Sequence, residues 1–292
     1  MKKVLITGID SFTGTHLATY FEKEGYEVYG TSFKNKSNKI FKCDITVESQ
    51  VKDTLLQIKP DYLIHLAGIS FVAHNKNEDF YKVNTIAAIN ILSALVNLSL
   101  NPSKIILVSS ATVYGNQAKD ILDESLCPSP ANHYGASKFA MESLAKEYFN
   151  KLSIIITRPF NYTGVGQANY FLVPKIVQHF KEKKEYIELG NLEVIREFND
   201  VSFVCEIYKK LITSDIKSEI VNICSNRGIK LSNIIESMKK LTGNTIEVKI
   251  NKDFVRKDEI KTLTGSTEKL FNLIGKIPQE DFENTLLKML HQ

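Results

Sequence analysis

Short apolar runs alternate with longer segments of helical periodicity through the first half of the chain. The runs are typical of buried strands, and they cover residues 4–7, 27–31, 61–66, 105–108 and 154–157. In the segments between them, apolar residues recur at helical spacing, as in Val51, Leu55 and Ile58. Strands that alternate with helices predict an α/β fold with a doubly wound parallel sheet.

The alternation becomes irregular after the strand at 154–157. A loop with Gly164, Gly166 and Gln167 follows, and short strand and helix patterns then succeed one another without a fixed order. We therefore predict two α/β domains, a larger one at residues 1–160 and a smaller one at 161–292. Some segments of the second part are expected to return to the first.

A glycine turn joins the first strand to the first helix. It reads Gly8-Ile9-Asp10-Ser11-Phe12-Thr13-Gly14, with Ser11 where a middle glycine is expected. Gly8 permits a tight turn, Gly14 lets helix and strand approach closely, and the short side chain of Ser11 leaves the backbone accessible. Free N–H groups at a helix start favour a pyrophosphate, so the turn predicts dinucleotide binding. The alternative is a turn that only starts a helix.

The end of the second strand bears on which dinucleotide is bound. Folds that select NAD place a carboxylate there to hold the ribose hydroxyl groups. This chain has Thr31, Ser32, Phe33 and Lys34, without a carboxylate. A hydroxyl group and a cation suit a 2′-phosphate, so we predict NADP(H) in preference to NAD(H). An ordinary role for Lys34 as a loop lysine is the alternative.

Small or polar residues follow the other strands. They are Asp44 after a short strand, Ala67 and Gly68 after the run at 61–66, and Ser109 and Ser110 after the run at 105–108. The carboxyl ends of parallel strands meet at one edge of the sheet, and ligands bind there. We therefore expect these residues and the glycine turn to line one cleft.

Tyr134 and Lys138 lie four residues apart in the next helical segment. Side chains at this spacing share a helix face, so the lysine charge is expected to lower the pKa of the tyrosine from about 10. Tyr134 is then a candidate proton donor or acceptor at neutral pH, and the hydroxyl of Ser110 could face it across a substrate oxygen. Tyrosine and lysine are common residues, so an ordinary helix face is the alternative.

Composition and charge are those of an ordinary globular protein. The chain has 292 residues, 43% hydrophobic and 24% charged, with a net charge of +4 that is spread along its length. Loose lysine clusters do not predict nucleic-acid binding, and no apolar run approaches the ~20 residues that span a membrane. The cysteines, at positions 43, 127, 205 and 224, lack metal or redox spacing. We expect reduced thiols, no metal, no signal peptide and a cytoplasmic protein.

These motifs together resemble the extended short-chain dehydrogenase/reductase family, in its branch of nucleotide-sugar epimerases, dehydratases and reductases. Segment 7–14 is similar to the family pattern T-G-x-x-G-F-x-G except at Ser11, and 65–68 is similar to H-x-A-A/G. Segments 109–115 and 134–138 resemble the catalytic segments. The resemblance implies a Rossmann-type domain at 1–160 that binds NAD(P), a domain at 161–292 that binds a nucleotide sugar, and a homodimer.

The resemblance also implies roles for matching residues. Ser110 is the expected catalytic hydroxyl, Tyr134 the acid/base and Lys138 its partner. The expected cofactor contacts are Gly8, Ser11, Phe12, Thr13, Gly14, Ser32, Lys34, Asp44, Ile45, Leu66, Ala67, Gly68, Ser109, Tyr134, Lys138 and Phe160. The expected substrate contacts are Ser70, Ser110, Asn161, Arg196, Arg256 and Glu259, with the two arginines on the diphosphate. Ordinary surface salt bridges are the alternative for each arginine.

Three reactions share this scaffold, and the residues distinguish among them. A dehydratase needs a further acid/base two residues after the catalytic hydroxyl, but that position holds Thr112, and Asp123 and Glu124 lie in a surface-like loop. A 4-epimerase that keeps NAD bound usually has an aspartate at the end of the second strand, which is absent here. Segment 110–115 nevertheless looks like UDP-galactose 4-epimerases.

A reductase needs only a hydride, a polarising hydroxyl and a proton donor, all of which the motifs supply. The second half of the chain is most similar to GDP-4-keto-6-deoxy-mannose reductases and GDP-mannose 4,6-dehydratases. We therefore predict an NADPH-dependent 4-keto reductase of a nucleotide-linked 4-keto-6-deoxy sugar, with GDP favoured over dTDP or CDP. The alternatives are a 4-epimerase and, further from the pattern, a 4,6-dehydratase or a non-catalytic NADP-binding protein.

Overall fold

The structure, a computed structural model, describes residues 1–70, 76–254 and 260–292. Its strands are β1 (Lys3–Thr7), β2 (Glu27–Ser32), β3 (Ile40–Lys42), β4 (Tyr62–His65), β5 (Lys104–Val108), β6 (Ile121–Leu122), β7 (Ile154–Pro159), β8 (Tyr162–Thr163), β9 (Tyr186–Leu189), β10 (Ile195–Glu197), β11 (Asn199–Asp200), β12 (Glu219–Ile223), β13 (Gly228–Lys230), β14 (Glu247–Ile250) and β15 (Thr262–Gly265). Its α-helices are α1 (Phe12–Lys23), α2 (Glu48–Ile58), α3 (Asn77–Phe80), α4 (Ala87–Asn97), α5 (His133–Ala145), α6 (Leu172–Lys181), α7 (Val201–Ile212), α8 (Leu231–Thr242), α9 (Glu268–Ile274) and α10 (Phe282–Leu290). A π-helical turn, Tyr81–Ile86, joins α3 to α4, and 3₁₀ turns lie at Ala111–Tyr114, Lys146–Tyr148 and Lys252–Phe254.

A seven-stranded sheet forms the larger part of the fold, with the strand order β12-β7-β5-β4-β1-β2-β3. Every neighbouring pair in it is parallel. The predicted Rossmann-type doubly wound parallel sheet is confirmed. The strand order reverses between β1 and β4, and a crevice for ligands opens at such a point, beyond the carboxyl ends of the strands.

The central strands β1, β4, β5 and β7 are buried on both faces, which is why their sequences are mostly apolar. Successive side chains alternate between the faces, so Val4 and Ile6 join one apolar layer and Leu5 joins the other. Helices α1, α7 and α9 cover the first layer, and α2, α4 and α5 cover the second. The strand ends and the loops after them are therefore held in place from both sides.

Most of the chain after residue 161 builds a smaller part around separate strands. Strands β13, β10, β15 and β6 form a four-stranded sheet, β9 pairs with β14, and β8 pairs with β11. Helices α6, α8 and α10 pack together around Ile176, Ile234 and Leu286. Strand β12 forms one edge of the large sheet, and helix α7 packs against a face of that sheet. A domain division at residues 1–160 and 161–292 stays a prediction.

Three features bear on the sequence expectations about membranes, metals and thiols. Within the described ranges, no helix combines the length and the apolar character that crossing a membrane requires. The same residues contain no cluster of three His, Cys, Asp or Glu side chains placed to hold a metal ion. The four cysteines are unpaired. Burial raises the pKa of the Cys205 thiol to about 12, so it stays protonated and is a poor nucleophile.

Candidate active site

The glycine turn between β1 and α1 is held tightly against its neighbours. Gly8 has φ +68°, in the left-handed region, and the N–H groups of Gly8 and Ile9 donate to the Thr31 carbonyl at 3.0 and 3.1 Å. A Cβ at Gly14 would lie 2.4 Å from the Gly8 carbonyl oxygen, so no larger residue fits without a backbone shift. Ser11 caps α1 by accepting from the Gly14 N–H at 3.1 Å.

This cradle fits the pyrophosphate of a dinucleotide. The first-turn N–H groups and the positive end of the helix dipole favour an anion, and α1 has no acidic residue in its first turn. A Cβ at Gly8 would lie 3.0 Å from the Ala67 Cα, so the exit of β4 closes one side of the cradle. The glycines therefore keep open a space that side chains would fill.

A carboxylate lies beside the carboxyl end of β2, where the strand itself has only Thr31 and Ser32. It belongs to Asp10 of the glycine turn, and its Oδ2 accepts from the Ser32 hydroxyl at 2.6 Å and from the Asn35 amide at 3.2 Å. The Ser32 oxygen in turn accepts from the N–H groups of Lys34 and Asn35, and the Lys34 residue is exposed. Inspection of β2 alone misses Asp10, because the carboxylate comes from a neighbouring segment.

The exit of β4 brings a buried histidine to the same edge. The Thr7 hydroxyl and His65 Nδ1 lie 2.8 Å apart, and the Ala67 N–H donates to the Thr7 oxygen at 3.2 Å. Burial lowers the pKa of His65 to about 3, and the Lys138 charge acts in the same direction. Among the described residues, His65 Nε2 has no hydrogen-bond partner. His65 is thus a neutral core residue.

Asn84, in the π-helical turn, ties the β4 exit to helix α5. Its Oδ1 accepts from the Ile69 N–H at 2.8 Å, and its amide nitrogen donates to the Ile69 carbonyl and the Ser137 hydroxyl, both at 3.1 Å. A Cβ at Gly68 would lie 2.7 Å from Asn84 Oδ1 and 3.4 Å from Lys138 Nζ. Gly68 therefore lets the ammonium group approach the strand end. Such π-helical turns are frequent at functional sites.

Lys138 is buried on α5, and its ammonium group reaches the end of β5. Its Nζ donates to the Val108 carbonyl at 2.7 Å. Burial lowers the pKa of Lys138 from 10.5 to about 8, and the charge of Glu142, one helical turn further on, opposes this shift. Lys138 therefore carries a positive charge at neutral pH.

Tyr134 and Ser110 come together just beyond β5. Ser110 begins the turn Ala111–Tyr114, and its oxygen accepts from the Thr112 N–H at 3.2 Å and the Thr112 hydroxyl at 2.9 Å. Burial raises the pKa of Tyr134, and a hydrogen bond with the Ser110 side chain opposes that rise. The two hydroxyl groups meet, while their catalytic role stays a prediction.

The prediction that Lys138 lowers the pKa of Tyr134 is wrong, because that pKa is raised. Helical spacing puts the two side chains on one face, but the ammonium group donates to the Val108 carbonyl instead. Burial of the phenol then decides the direction of the shift. Tyr134 is consequently protonated at neutral pH, which suits it to donate a proton.

A buried ion pair links α5 to β7 next to these residues. Arg158 Nε and Nη2 donate to the two carboxylate oxygens of Glu142 at 3.0 and 2.7 Å, and the side chains are 3% and 0% exposed. The Ser109 hydroxyl donates to the same carboxylate at 2.5 Å. The pair thus fixes Ser109, the neighbour of Ser110. Sequence reasoning missed this pair, since its members are neighbours only in the folded chain.

Tyr162 connects the glycine turn with the surroundings of Tyr134. Its hydroxyl lies 2.8 Å from the Thr13 hydroxyl, and its ring stacks on Phe12 with 6.3 Å between ring centroids. Burial raises the pKa of Tyr162 to about 12, and the interaction with Tyr134 adds to the rise. The sequence prediction named the preceding residue, Asn161, instead.

Two residues predicted to bind ligands have protein partners. Phe160 is buried, with its ring against Tyr114 and Gly265. Arg196 donates to three backbone carbonyls, those of Ile195, Ile260 and Lys261. These bonds hold the entry of β15 against β10, and a role of Arg196 on a diphosphate stays a prediction.

The other predicted contacts are distributed along the sheet edge or lie elsewhere. Asp44 accepts from the N–H and hydroxyl groups of Thr46, so its carboxylate shapes the loop after β3. The ligand roles of all predicted site residues stay predictions, and this includes the remaining described positions Ile45, Leu66, Ser70 and Asn161. Arg256 and Glu259 lie outside the described residues.

Residues 4–224 match the NAD dependent epimerase/dehydratase family. GDP-6-deoxy-D-talose 4-dehydrogenase of Aggregatibacter actinomycetemcomitans is 36% identical over 297 residues, which cover 98% of this chain and 99% of that protein. GDP-6-deoxy-D-mannose reductase of Pseudomonas aeruginosa is 26% identical over 300 residues, which cover 99% of this chain and 96% of that protein.

The same likeness is present in three dimensions. The structure of RMD from Pseudomonas aeruginosa complexed with NADPH matches with a TM-score of 0.88 and 26% sequence identity. The match covers 100% of this chain and 98% of that one. Similarity in sequence and in structure therefore extends over nearly the full length of the chains.

Proposed function

The chain belongs to the NAD dependent epimerase/dehydratase family, and from that premise we propose that it interconverts a ketone and a hydroxyl group at C4 of a nucleotide-linked 6-deoxy sugar. In the reducing direction the substrate is a 4-keto-6-deoxy sugar, and the reductant is NADPH or NADH. A GDP-linked sugar is favoured over a dTDP- or CDP-linked one, because both curated relatives described above carry GDP sugars in their names.

The observation that carries this proposal is the meeting of two hydroxyl groups beyond β5. The Ser110 side chain lies close enough to the Tyr134 hydroxyl to oppose the rise in its pKa, and the charge of Lys138 lies at the neighbouring exit of β4. A ketone oxygen that becomes an alkoxide needs hydrogen-bond donors and then a proton. The raised pKa of Tyr134 keeps its hydroxyl proton available for that purpose.

Each residue has a definable task in this proposal. NAD(P)H, when bound, would supply a hydride to the ketone carbon. Ser110 donates a hydrogen bond to the ketone oxygen, and Tyr134 transfers its proton to the same oxygen. Lys138 keeps a positive charge at the exit of β4, where it would hold the ribose next to the nicotinamide. The glycine turn would hold the pyrophosphate of the cofactor at the start of α1.

Elimination of water is less compatible with the residues around Ser110. Thr112 occupies the position where a dehydratase needs an acid/base, and its hydroxyl donates to Ser110. Glu124 accepts from the Asn222 N–H at 2.7 Å. Asp123 accepts from the Ser125 N–H at 2.9 Å. These two carboxylates hold their own loop and β12, so we do not favour a 4,6-dehydratase.

A 4-epimerase with tightly bound NAD is the second candidate, and Asp10 favours it. An epimerase returns the hydride to the same sugar and needs a cofactor that stays bound. A carboxylate at the adenosine ribose is the usual means of holding NAD, and Asp10 lies beside the end of β2. The two candidates differ in whether reduced cofactor is consumed.

Purified protein, reduced cofactor and a GDP-linked 4-keto-6-deoxy sugar provide the test. We expect the absorbance of reduced nicotinamide to fall, with one sugar hydroxyl formed for each cofactor oxidised. The dTDP- and CDP-linked analogues then test the choice of nucleotide. Failure to oxidise NADPH or NADH with any of these sugars would contradict the proposal, and interconversion of 4-hydroxy epimers without net oxidation would identify an epimerase.

The variant Tyr134→Phe ties any activity to the proposed proton donor. It removes one hydroxyl from the site, so we expect kcat to fall about 10²- to 10⁴-fold, with cofactor affinity preserved. Tyr186→Phe is the matched control, because this phenol is 47% exposed on β9. An equal kcat for Tyr134→Phe and Tyr186→Phe would exclude Tyr134 as the proton donor.

A further inference from the structure

The Asp10 carboxylate is fixed beside the end of β2 by other segments of the chain. Its Oδ2 accepts from the Ser32 hydroxyl at 2.6 Å and from the Asn35 amide at 3.2 Å. The turn that carries Asp10 is itself anchored, because two of its N–H groups donate to the Thr31 carbonyl. The residue is exposed, yet its carboxylate is oriented before any ligand arrives.

The second carboxylate oxygen of Asp10 is available to a ligand. In the part of the chain that the structure describes, the hydrogen bonds to this carboxylate all go to Oδ2. An ionised carboxylate oxygen accepts hydrogen bonds and donates none. In doubly wound folds, the adenosine ribose of a dinucleotide lies between the glycine turn and the end of the second strand. Asp10 and Ser32 join these two segments.

On the premise of the proposed function, we infer that Asp10 is a specificity-determining residue that selects NAD(H) over NADP(H). Its free oxygen accepts hydrogen bonds from the 2′- and 3′-hydroxyl groups of the adenosine ribose. A phosphate monoester at the 2′ position carries a charge of about −1.5 to −2. This phosphate would face the negative charge of Asp10, and the Asp10 oxygen has no proton to donate to it. This inference reverses the preference for NADP(H) that β2 alone indicates.

The lysines on the loop after β2 do not offset the carboxylate. Lys34, Lys36 and Lys39 are exposed in this loop. Exposed ammonium groups on long side chains are screened by salt and lose conformational entropy when they hold a ligand. The charge that is hydrogen-bonded to Ser32 is the Asp10 carboxylate. This negative charge decides between a ribose hydroxyl and a phosphate.

Binding to the wild-type protein tests the inference without any substitution. Dissociation constants for NADH and NADPH are measured by nicotinamide fluorescence, and those for ADP and 2′,5′-ADP by displacement of bound NADH. We expect NADH to bind at least about tenfold more tightly than NADPH, which is the effect of one like charge at close range. We also expect 2′,5′-ADP to bind more weakly than ADP.

The outcomes separate this inference from the proposed function. Equal affinities, or a preference for NADPH, would overturn the inference and leave the oxidoreductase proposal standing. Absence of binding by both dinucleotides would overturn both. A preference for NADH with the expected ratio supports the inference whichever sugar is the substrate, because the assay needs no turnover.

Variants at Asp10 assign the preference to this residue. Asp10→Asn removes the charge with little change in size, so the affinity for NADPH should rise about tenfold relative to that for NADH. Asp10→Glu keeps the charge and should keep the preference, which leaves a test if the asparagine variant does not fold. Asp53→Asn, exposed on α2, changes the net charge equally and serves as the control. A ratio in Asp10→Asn equal to that of the control would refute the assignment.

Discussion

Replacement of Lys138 by methionine is expected to stabilise the folded protein while it removes the activity. Lys138 is 5% exposed, and burial lowers its pKa from 10.5 to about 8. The difference between these two pKa values corresponds to about 3 kcal/mol. Burial of the charged ammonium group lowers the unfolding free energy by this amount at neutral pH. Methionine is similar in length and uncharged, so it avoids this cost.

The hydrogen bond to Val108 reduces the expected gain. Lys138 Nζ donates to the Val108 carbonyl at 2.7 Å, and its loss leaves a buried acceptor, at a cost of about 1 kcal/mol or more. We therefore expect Lys138→Met to raise the unfolding free energy by about 2 kcal/mol near pH 7. Turnover should fall strongly, because the charged group proposed to hold the nicotinamide ribose is removed.

The gain in unfolding free energy from Lys138→Met should become smaller as the pH rises above about 8. The folded-state pKa of Lys138 lies below that of the unfolded chain, so the unfolded state binds more protons between about pH 8 and pH 10.5. The wild-type protein therefore gains stability as the pH rises through this interval. The methionine variant has no such group, so its advantage should shrink from pH 8 upwards.

Urea denaturation of the ligand-free proteins between about pH 7 and pH 10 measures this dependence. Lys146→Met is the matched control, because Lys146 is exposed in the turn directly after α5. It should differ little from the wild type at every pH. A methionine variant at position 138 that is no more stable than the wild type near pH 7, or a difference that does not vary with pH, would refute the reasoning.

Other parts of the site are tested by three substitutions. Glu142→Gln leaves the buried Arg158 charge without its partner, so urea denaturation should show a loss of about 3–5 kcal/mol; a loss below about 1 kcal/mol would contradict the importance of the pair. Gly14→Ala would place a Cβ 2.4 Å from the Gly8 carbonyl oxygen, so NADH binding should weaken and the Tm should fall; unchanged affinity would count against the cradle. Ser110→Ala should lower kcat about 10²- to 10³-fold by removing a donor to the ketone oxygen, and unchanged kcat would exclude that role.

The large sheet could be predicted from the sequence because its central strands are buried on both faces. A run such as 105–108 is apolar throughout, and the helices between such runs show a clear period. The smaller part of the fold, after residue 161, has no comparable pattern of apolar residues in its sequence. Strand β6 has two residues and pairs with β15 from the far end of the chain, so no local pattern indicates the pairing.

Sequence spacing predicted those features of the site that depend on positions close together in the chain. Spacing put Tyr134 and Lys138 on one helix face, but the shifts in their pKa values come mainly from burial, which only the packed fold determines. Asp10 was overlooked for a related reason, since its carboxylate crosses from the glycine turn to Ser32. Partners supplied by other segments are invisible to periodicity and spacing.

The position that receives the hydride tests most directly whether Tyr134 and Ser110 serve the reduction of a C4 ketone. A GDP-linked 4-keto-6-deoxy sugar is incubated with NADH or NADPH that carries deuterium at the transferable position, and NMR locates the label in the product. We predict one deuterium at C4 of the sugar with the wild-type protein, and none with Tyr134→Phe in the same time. A converted sugar that carries no deuterium, or no conversion with either cofactor, would contradict this prediction.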